Sequence, residues 1–218
     1  LHETFSSASA IRASLLQADV QHNSWKSEGS LKQMPPAAAQ IMRNNYNRKT
    51  PVYSNDFSLL LKAKLLTETC DSLIEYADIS EALARRIINQ RNQFVNWDAF
   101  CELLKTKDMT YSRISRALMH ILLNIRTEDM TAYQAEQNCC YARVLGFRKE
   151  QTEILKLFKQ NSSVPVITKL GQIDSLSNAG QKMSDTDCYA SNLYESVVTD
   201  KFHTPFIEEH SKSLVLYE

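Results

Sequence analysis

The stretch from Lys105 to Ile125, KTKDMTYSRISRALMHILLNI, constrains the fold more than any other part of the chain. Its apolar residues recur at the spacing that places them in one stripe along an α-helix: Tyr111, Ile114, Leu118, Ile121 and Ile125. Asp108 or Thr110 can cap this helix, since either side chain can accept a hydrogen bond from a free N–H of the first turn. The stretch therefore predicts an amphipathic helix with a buried stripe, in which Tyr111 is a core residue rather than a platform for stacking a base.

Cations occupy the start and the opposite side of this helix. Lys105 and Lys107 lie just before it, and Arg113, Arg116 and His120 follow at positions i, i+3 and i+7. Most charged helix faces are solvated surface, but guanidinium groups at helical spacing also suit phosphate oxygens. Both interpretations stay open at this point. A lone histidine on a helix is commonly exposed or hydrogen-bonded, so His120 is given no role.

Glycine and proline are scarce, with 4 and 5 residues among 218. This scarcity favours helices over a turn-rich all-β fold. Hydrophobic residues make up 43% of the chain, which is enough to build a core, and the length allows one large domain or two small ones. We predict a mainly α protein: a helical bundle over residues 55–138, followed by a small α/β portion with two or three short strands over residues 139–218.

The formal net charge is zero, but the charges are unevenly placed. Residues 184–218 contain seven acidic and two basic side chains, a net charge of −5, which leaves +5 on the rest. A basic body with an acidic tail is compatible with an anionic partner. Within the body, Arg143, Arg148 and Lys149 form a second candidate basic patch.

The 5 cysteines are odd in number, and no two of them have the spacing of a chelating pair. We interpret them as reduced thiols of a cytoplasmic protein rather than as disulfides or zinc ligands. No apolar run approaches the ~20 residues that span a bilayer.

The stretch FSSASAIRASLL, residues 5–16, reads as a Ser-rich turn that runs into a short helix. Ser6 or Ser7 can cap this helix, and Arg12 lies in its first turns. A helix N-terminus favours an anion, so this is a candidate phosphate site, although spacing alone favours an ordinary cap. Residues 21–54 read as a polar connector with one helix, which Pro35 and Pro36 open.

Shorter patterns predict the remaining elements. In the bundle, Asp56, Ser80 and Asn96 are candidate N-caps of successive helices, and residues 127–138 read as a polar link. Strands are predicted over 140–147, 164–169 and 214–217, with a helix over 149–160. A strand–helix–strand run usually makes a parallel pair. Gly146 suits a bend or a close approach, and residues 171–184 read as a polar loop.

Four stretches resemble the bacterial tRNA(Met) cytidine acetate ligases, in the same order and across essentially the whole chain. They are SSASAIR at Ser6–Arg12, TKDMTYSRISRALMHILLNI at Thr106–Ile125, ARVLGFRKEQ at Ala142–Gln151 and PVITK at Pro165–Lys169. The second and third are the more specific, because they are long and combine polar with apolar positions.

The resemblance implies an α/β nucleotidyltransferase-like domain that activates acetate with ATP, as acetyl-adenylate. The acetyl group then passes to N4 of the wobble cytidine of elongator tRNA(Met). ATP with Mg²⁺ is the implied cofactor, and tRNA and acetate are the implied partners, with no DNA and no membrane. The SSASAIR stretch is similar to the closing piece of the nucleotide site, which implies that Ser6, Ser7, Ile11 and Arg12 lie near ATP and that residues 1–20 end that domain.

The chain begins with Leu1 and contains no HxGH signature, which the family carries in the first half of its nucleotide-binding domain. We therefore expect the C-terminal half of such an enzyme, inactive alone, with most of the ATP site outside this chain and no catalytic residue assigned.

The resemblance further implies that the helical half binds tRNA. The candidate contacts are the cations of the two basic patches: Lys105, Lys107, Arg113, Arg116, Arg143 and Arg148. Such contacts predict a salt-dependent and largely sequence-independent affinity. The alternative hypothesis is a stand-alone helical module without catalytic activity that binds RNA or a protein, and a catalytically silent relative is a third.

Overall fold

The computed structural model describes residues 7–20, 31–32 and 34–217. The described chain is mainly α, as predicted, and its helices are α1 (Ala8–Val20), α2 (Pro36–Asn45), α3 (Ser58–Thr67), α4 (Cys70–Ile74), α5 (Glu81–Gln90), α6 (Trp97–Leu104), α7 (Tyr111–Leu122), α8 (Thr127–Ala135), α9 (Thr152–Asn161) and α10 (Asn178–Phe202). The strands are β1 (Ala142–Arg143), β2 (Gly146–Arg148), β3 (Val166–Ile167) and β4 (Val215–Tyr217). Two units emerge, one of residues 1–53 with 197–206 and one of residues 54–196 with 207–218.

The first unit contains α1 and α2. Leu31 and Ala39 are buried, and Ile11 of α1 packs against them together with Met34, Met42 and Tyr46. Proline begins α2 as predicted, because Pro36 occupies the first turn, where an N–H would have no partner in the helix.

The second unit is built around the large apolar core of α3 to α7. The largest side chains that are wholly removed from solvent come from successive helices: Leu61, Leu65, Leu83, Ile87, Trp97, Phe100, Ile114 and Leu118. The predicted caps Ser80 and Asn96 both accept a backbone N–H, from Leu83 at 3.3 Å and from Ala99 at 2.9 Å. Arginines close other helix ends, since Arg86 donates to the carbonyl of Leu103 at the end of α6.

The strands of this unit form two parallel pairs rather than one sheet. β1 pairs with β3, as predicted for a strand–helix–strand run, and β2 pairs with β4. The predicted strand over 140–147 is thus two short strands with different partners. Gly146 meets its strand neighbour closely, because a Cβ there would lie 2.8 Å from the carbonyl oxygen of Val215. This is the close approach that the sequence suggested.

Three local predictions were wrong, because helical turns form where the sequence predicted a link, a loop and a cap. Residues 127–138 are not a link but hold α8, where Asp129 accepts the N–H of Arg126 at 2.9 Å and is itself buried. The supposed loop 171–184 contains a 3₁₀ helix and the start of α10. Asp56 does not cap α3, because a 3₁₀ turn at Ser54–Phe57 precedes that helix.

Candidate nucleic-acid interface

The apolar stripe of α7 determines which side of the helix faces solvent. Ile114, Leu118 and Ile121 are fully buried in the core of the second unit. Thr110, rather than Asp108, caps the helix by accepting the N–H of Arg113 at 3.4 Å. Because the stripe is buried and the first turn is capped, the side opposite to it is held outward.

Four cations lie on or just before this outward side, and we call them the cationic face: Lys105, Lys107, Arg113 and Arg116. Lys107 and Arg113 are exposed, and within the described ranges neither forms an ion pair. Lys105 lies 3.2 Å from Glu102, and Arg116 Nε lies 2.7 Å from Asp78 Oδ2, with 48% and 60% of their side chains exposed. Ion pairs this exposed are weak, so all four cations are open to an anion from solvent.

His120 and Tyr111 belong to the support of α7. His120 Nδ1 lies 3.0 Å from the carbonyl of Ala77 and 3.4 Å from Asp78, which ties α7 to the segment before α5. The Tyr111 hydroxyl donates to Asp98 at 2.5 Å. Burial, followed by the hydrogen bond and the charge of Asp98, raises the pKa of Tyr111, so its phenol stays protonated. The structure places Tyr111 against the core, as expected.

The second basic patch is divided by the fold. Arg148 is exposed at the end of β2, whereas Arg143 keeps only 17% of its side chain exposed and binds Glu209 at 2.8 Å. Arg143 is therefore held inside the second unit by Glu209, a carboxylate of the predicted acidic tail.

Glu209 is the centre of a buried ionic cluster that sequence reasoning missed. Its carboxylate accepts from Ser191 at 2.5 Å and lies 3.0 Å from Lys212 Nζ, besides the bond to Arg143. Burial alone raises the pKa of Glu209, but the hydrogen bonds from Ser191 and Lys212 and the nearby cations outweigh it and lower the pKa. The sequence offered one signal, an isolated Lys212 among acidic residues.

The predicted nucleotide-site residues lie at the start of α1, in the first unit. Ser7 caps that helix by accepting the N–H of Ala10 at 3.2 Å, and Arg12 is exposed. Ile11 packs inward against the small apolar cluster. Ser6 lies outside the described residues.

Two features are absent from the described part of the chain. No helix in it is both long and apolar enough to cross a membrane. The same residues hold no group of three or more histidine, cysteine, aspartate or glutamate side chains arranged to bind a metal ion.

Comparison with known proteins identifies the class. The family model described as HIGH Nucleotidyl Transferase matches residues 1–208, so the chain belongs to this family.

The relatives narrow the class further. A tRNA(Met) cytidine acetate ligase of Alkaliphilus metalliredigens is 30% identical over 85% of this chain and 45% of its own length. That of Thermoanaerobacter sp. (strain X514) is 32% identical over 87% of this chain and 44% of its own length. The chain thus spans about half the length of these curated relatives. The fold matches a crystal structure of Thermotoga maritima TmcAL bound with alpha-thio ATP, with a TM-score of 0.84 and 21% identity, over 99% of this chain and 53% of that one.

Proposed function

We propose that this chain is the C-terminal, tRNA-binding part of an ATP-dependent ligase that acetylates the wobble cytidine of elongator tRNA(Met). The observation that carries the proposal is the cationic face, held outward by a buried stripe, in a chain whose relatives are tRNA(Met) cytidine acetate ligases. The stretch that builds this face is also one of the two most specific stretches of the resemblance.

The geometry of the face suits a phosphate backbone. Lys107 and Arg113 have no ion-pair partner among the described residues that they would have to leave before they meet the backbone. Arg116 and Lys105 add contacts, because their carboxylate partners are exposed and exchange readily with an outside anion. Phosphate contacts of this kind position the RNA and make the affinity fall steeply with salt. Arg148 is exposed and is a further proposed contact, whereas Arg143 is nearly buried and already bound to Glu209.

The start of α1 is the proposed contribution to nucleotide binding. ATP activates the carboxylate of acetate in the proposed reaction. Ser7 caps the first turn of α1. Arg12 lies in the same part of the helix and is exposed, so its guanidinium is available to the phosphates. The relatives are about twice as long as this chain, and we propose that their additional part holds the rest of the site.

The test is binding of tRNA(Met) and of an unrelated tRNA to the chain and to the double variant Lys107→Ala with Arg113→Ala. The variant should bind more weakly, and the slope of log affinity against log salt should fall by about one for each phosphate that is no longer neutralised. The matched control is Lys156→Ala with Lys159→Ala, which removes the same charge from exposed positions of α9.

Equal losses of affinity in both double variants would mean that only overall charge matters and would remove α7 from the interface. Binding with no preference for tRNA(Met) would favour the alternative, a general RNA-binding module. Unchanged helicity by circular dichroism excludes unfolding as the cause of any loss of affinity.

A further inference from the structure

A cleft of about 820 Å³ lies in the second unit, away from the cationic face in sequence and in its lining residues. Residues that directly follow β1 and β3 form one side of it, and the segment leading into β4 forms the other. The carboxyl ends of parallel strands are a common place for ligands, and this volume lies within the range of sites for small molecules.

The floor of the cleft is the ionic cluster around Glu209. Its carboxylate is held between Arg143 and Lys212 at 2.8 and 3.0 Å, and Lys212 also lies 3.6 Å from Glu195. Two cations and two nearly buried carboxylates therefore neutralise one another. This floor is fixed in place, and it shapes the cleft without adding net charge.

Lys169 is a further cation of the cleft, and it lies outside the ionic cluster around Glu209. It lies two residues after the end of β3, it lines the cleft, and it is exposed. None of the ion pairs among the described residues includes it. The cleft thus presents one uncompensated cation at the ends of the strands.

The remaining walls combine aliphatic and hydroxyl groups. Leu145, Val215 and Leu216 are 66%, 61% and 51% exposed, so large apolar surfaces face the cleft or the solvent around it. His210, Ser211 and Ser213 lie among them. An acyl chain would leave these polar groups without partners, and a single inorganic anion would leave the aliphatic surface uncovered.

We propose that this cleft binds a nucleoside phosphate unit, with the phosphate on Lys169 and the base against the aliphatic wall. A nucleoside phosphate has an anion, a hydroxylated sugar and a flat base, which match the cation, the polar groups and the apolar surface in turn. The site goes beyond the proposed tRNA contact on α7, since it shares no residue with the cationic face.

The experiment titrates the chain with cytidine 5′-monophosphate and follows binding by calorimetry, with cytidine and inorganic phosphate as the two part-ligands. Saturable binding of the monophosphate is expected, with each part-ligand at least about tenfold weaker. Lys169→Ala should lower the affinity for the monophosphate about tenfold, because a charge-assisted hydrogen bond is removed. The control Lys156→Ala removes an exposed lysine outside the cleft and should leave the affinity unchanged.

Gly171→Leu provides a second, steric test. Gly171 lines the cleft, and a Cβ added there would have no atom within 4 Å, so there is open space where a larger side chain would begin. Gly171→Leu should lower the affinity for the monophosphate while the midpoint of thermal unfolding stays unchanged. The proposal would be overturned if neither the monophosphate nor RNA binds. It would also be overturned if the monophosphate binds but neither Lys169→Ala nor Gly171→Leu weakens its binding.

The unit can come from a free nucleotide or from RNA, and a competition separates the two sources. If RNA supplies the nucleoside phosphate unit, a short single-stranded RNA displaces the monophosphate, and Gly171→Leu also lowers the affinity for that RNA. If a free nucleotide is the ligand, the monophosphate stays bound in the presence of the RNA. Monophosphate binding should be the same in the Lys107→Ala, Arg113→Ala variant, so this test stands whether or not the cationic face binds tRNA.

Discussion

At the scale of single residues, burial rather than position in the chain decides what an acidic side chain does. Glu208 and Glu209 are neighbours, but Glu208 is exposed whereas Glu209 is 8% exposed and bound by two cations. The first contributes to surface charge, and the second stabilises the fold around the strands.

This difference predicts an unequal effect of two matched substitutions. Glu209→Gln should lower the free energy of unfolding at pH 7 by about 2 kcal/mol, because Arg143 and Lys212 lose a buried partner. Glu208→Gln should change it by less than about 0.5 kcal/mol. Chemical denaturation of both variants measures the contrast, and equal effects would show that the cluster contributes nothing specific.

The Glu209 cluster also predicts a dependence on pH. Since the pKa of Glu209 is lowered below its ordinary value of 4.5, its stabilisation is present above that pH and is lost as the pH falls through the folded-state pKa. The gap in stability between the parent chain and Glu209→Gln should therefore narrow below pH 4.5. A gap that stays constant down to pH 3 would contradict the assignment of this carboxylate as ionised.

At the scale of elements, α7 is fixed by its stripe, and its cations depend on that stripe for their direction. Leu118→Ala should destabilise the chain by about 2–5 kcal/mol, because the side chain is fully buried and leaves a cavity. Arg113→Ala, on the opposite side of the same helix, should change stability by less than about 0.5 kcal/mol. Thermal or urea unfolding compares the two variants. If Leu118→Ala lowers the free energy of unfolding by less than about 1 kcal/mol, the core relaxes around the cavity.

The elements differ in how far local sequence predicts them. Helices α5, α6 and α7 begin at predicted caps, because the side chain that accepts the free N–H lies next to the apolar pattern that it starts. Helix α8 escaped prediction because its nine residues show almost no apolar periodicity. It is held instead by the hydrogen bond that Asp129, in its first turn, accepts from the N–H of Arg126, and by the burial of Tyr133.

At the scale of the whole molecule, buried apolar contacts are unevenly distributed within the second unit. Five residues of α7 are buried, whereas no residue of α9 is, and Ile154, Leu157 and Phe158 of α9 remain 46–62% exposed. Local opening needs less free energy where fewer apolar contacts are broken.

Hydrogen exchange should therefore separate these helices. The amides of α9 are expected to exchange well before those of α7. The amides of α6, which also lies in the core, should exchange as slowly as those of α7. Mass spectrometry of peptides from the three helices measures the order. Equal protection of α9 and α7 would show that another contact stabilises α9.

The amino-acid sequence was enough to predict the mainly α composition, the buried stripe and outward cations of α7, and the parallel pairing of β1 with β3. These features follow from periodicity, caps and chain connection, which act over a few residues or one crossover. Other features emerge only when the chain is folded: Glu209 draws Arg143 inward, and Arg116 meets Asp78. Folding also places Lys169, which takes part in none of the ion pairs among the described residues, at the edge of a cleft. Those outcomes depend on which charges meet across distant segments when solvent is excluded, and no local pattern records that.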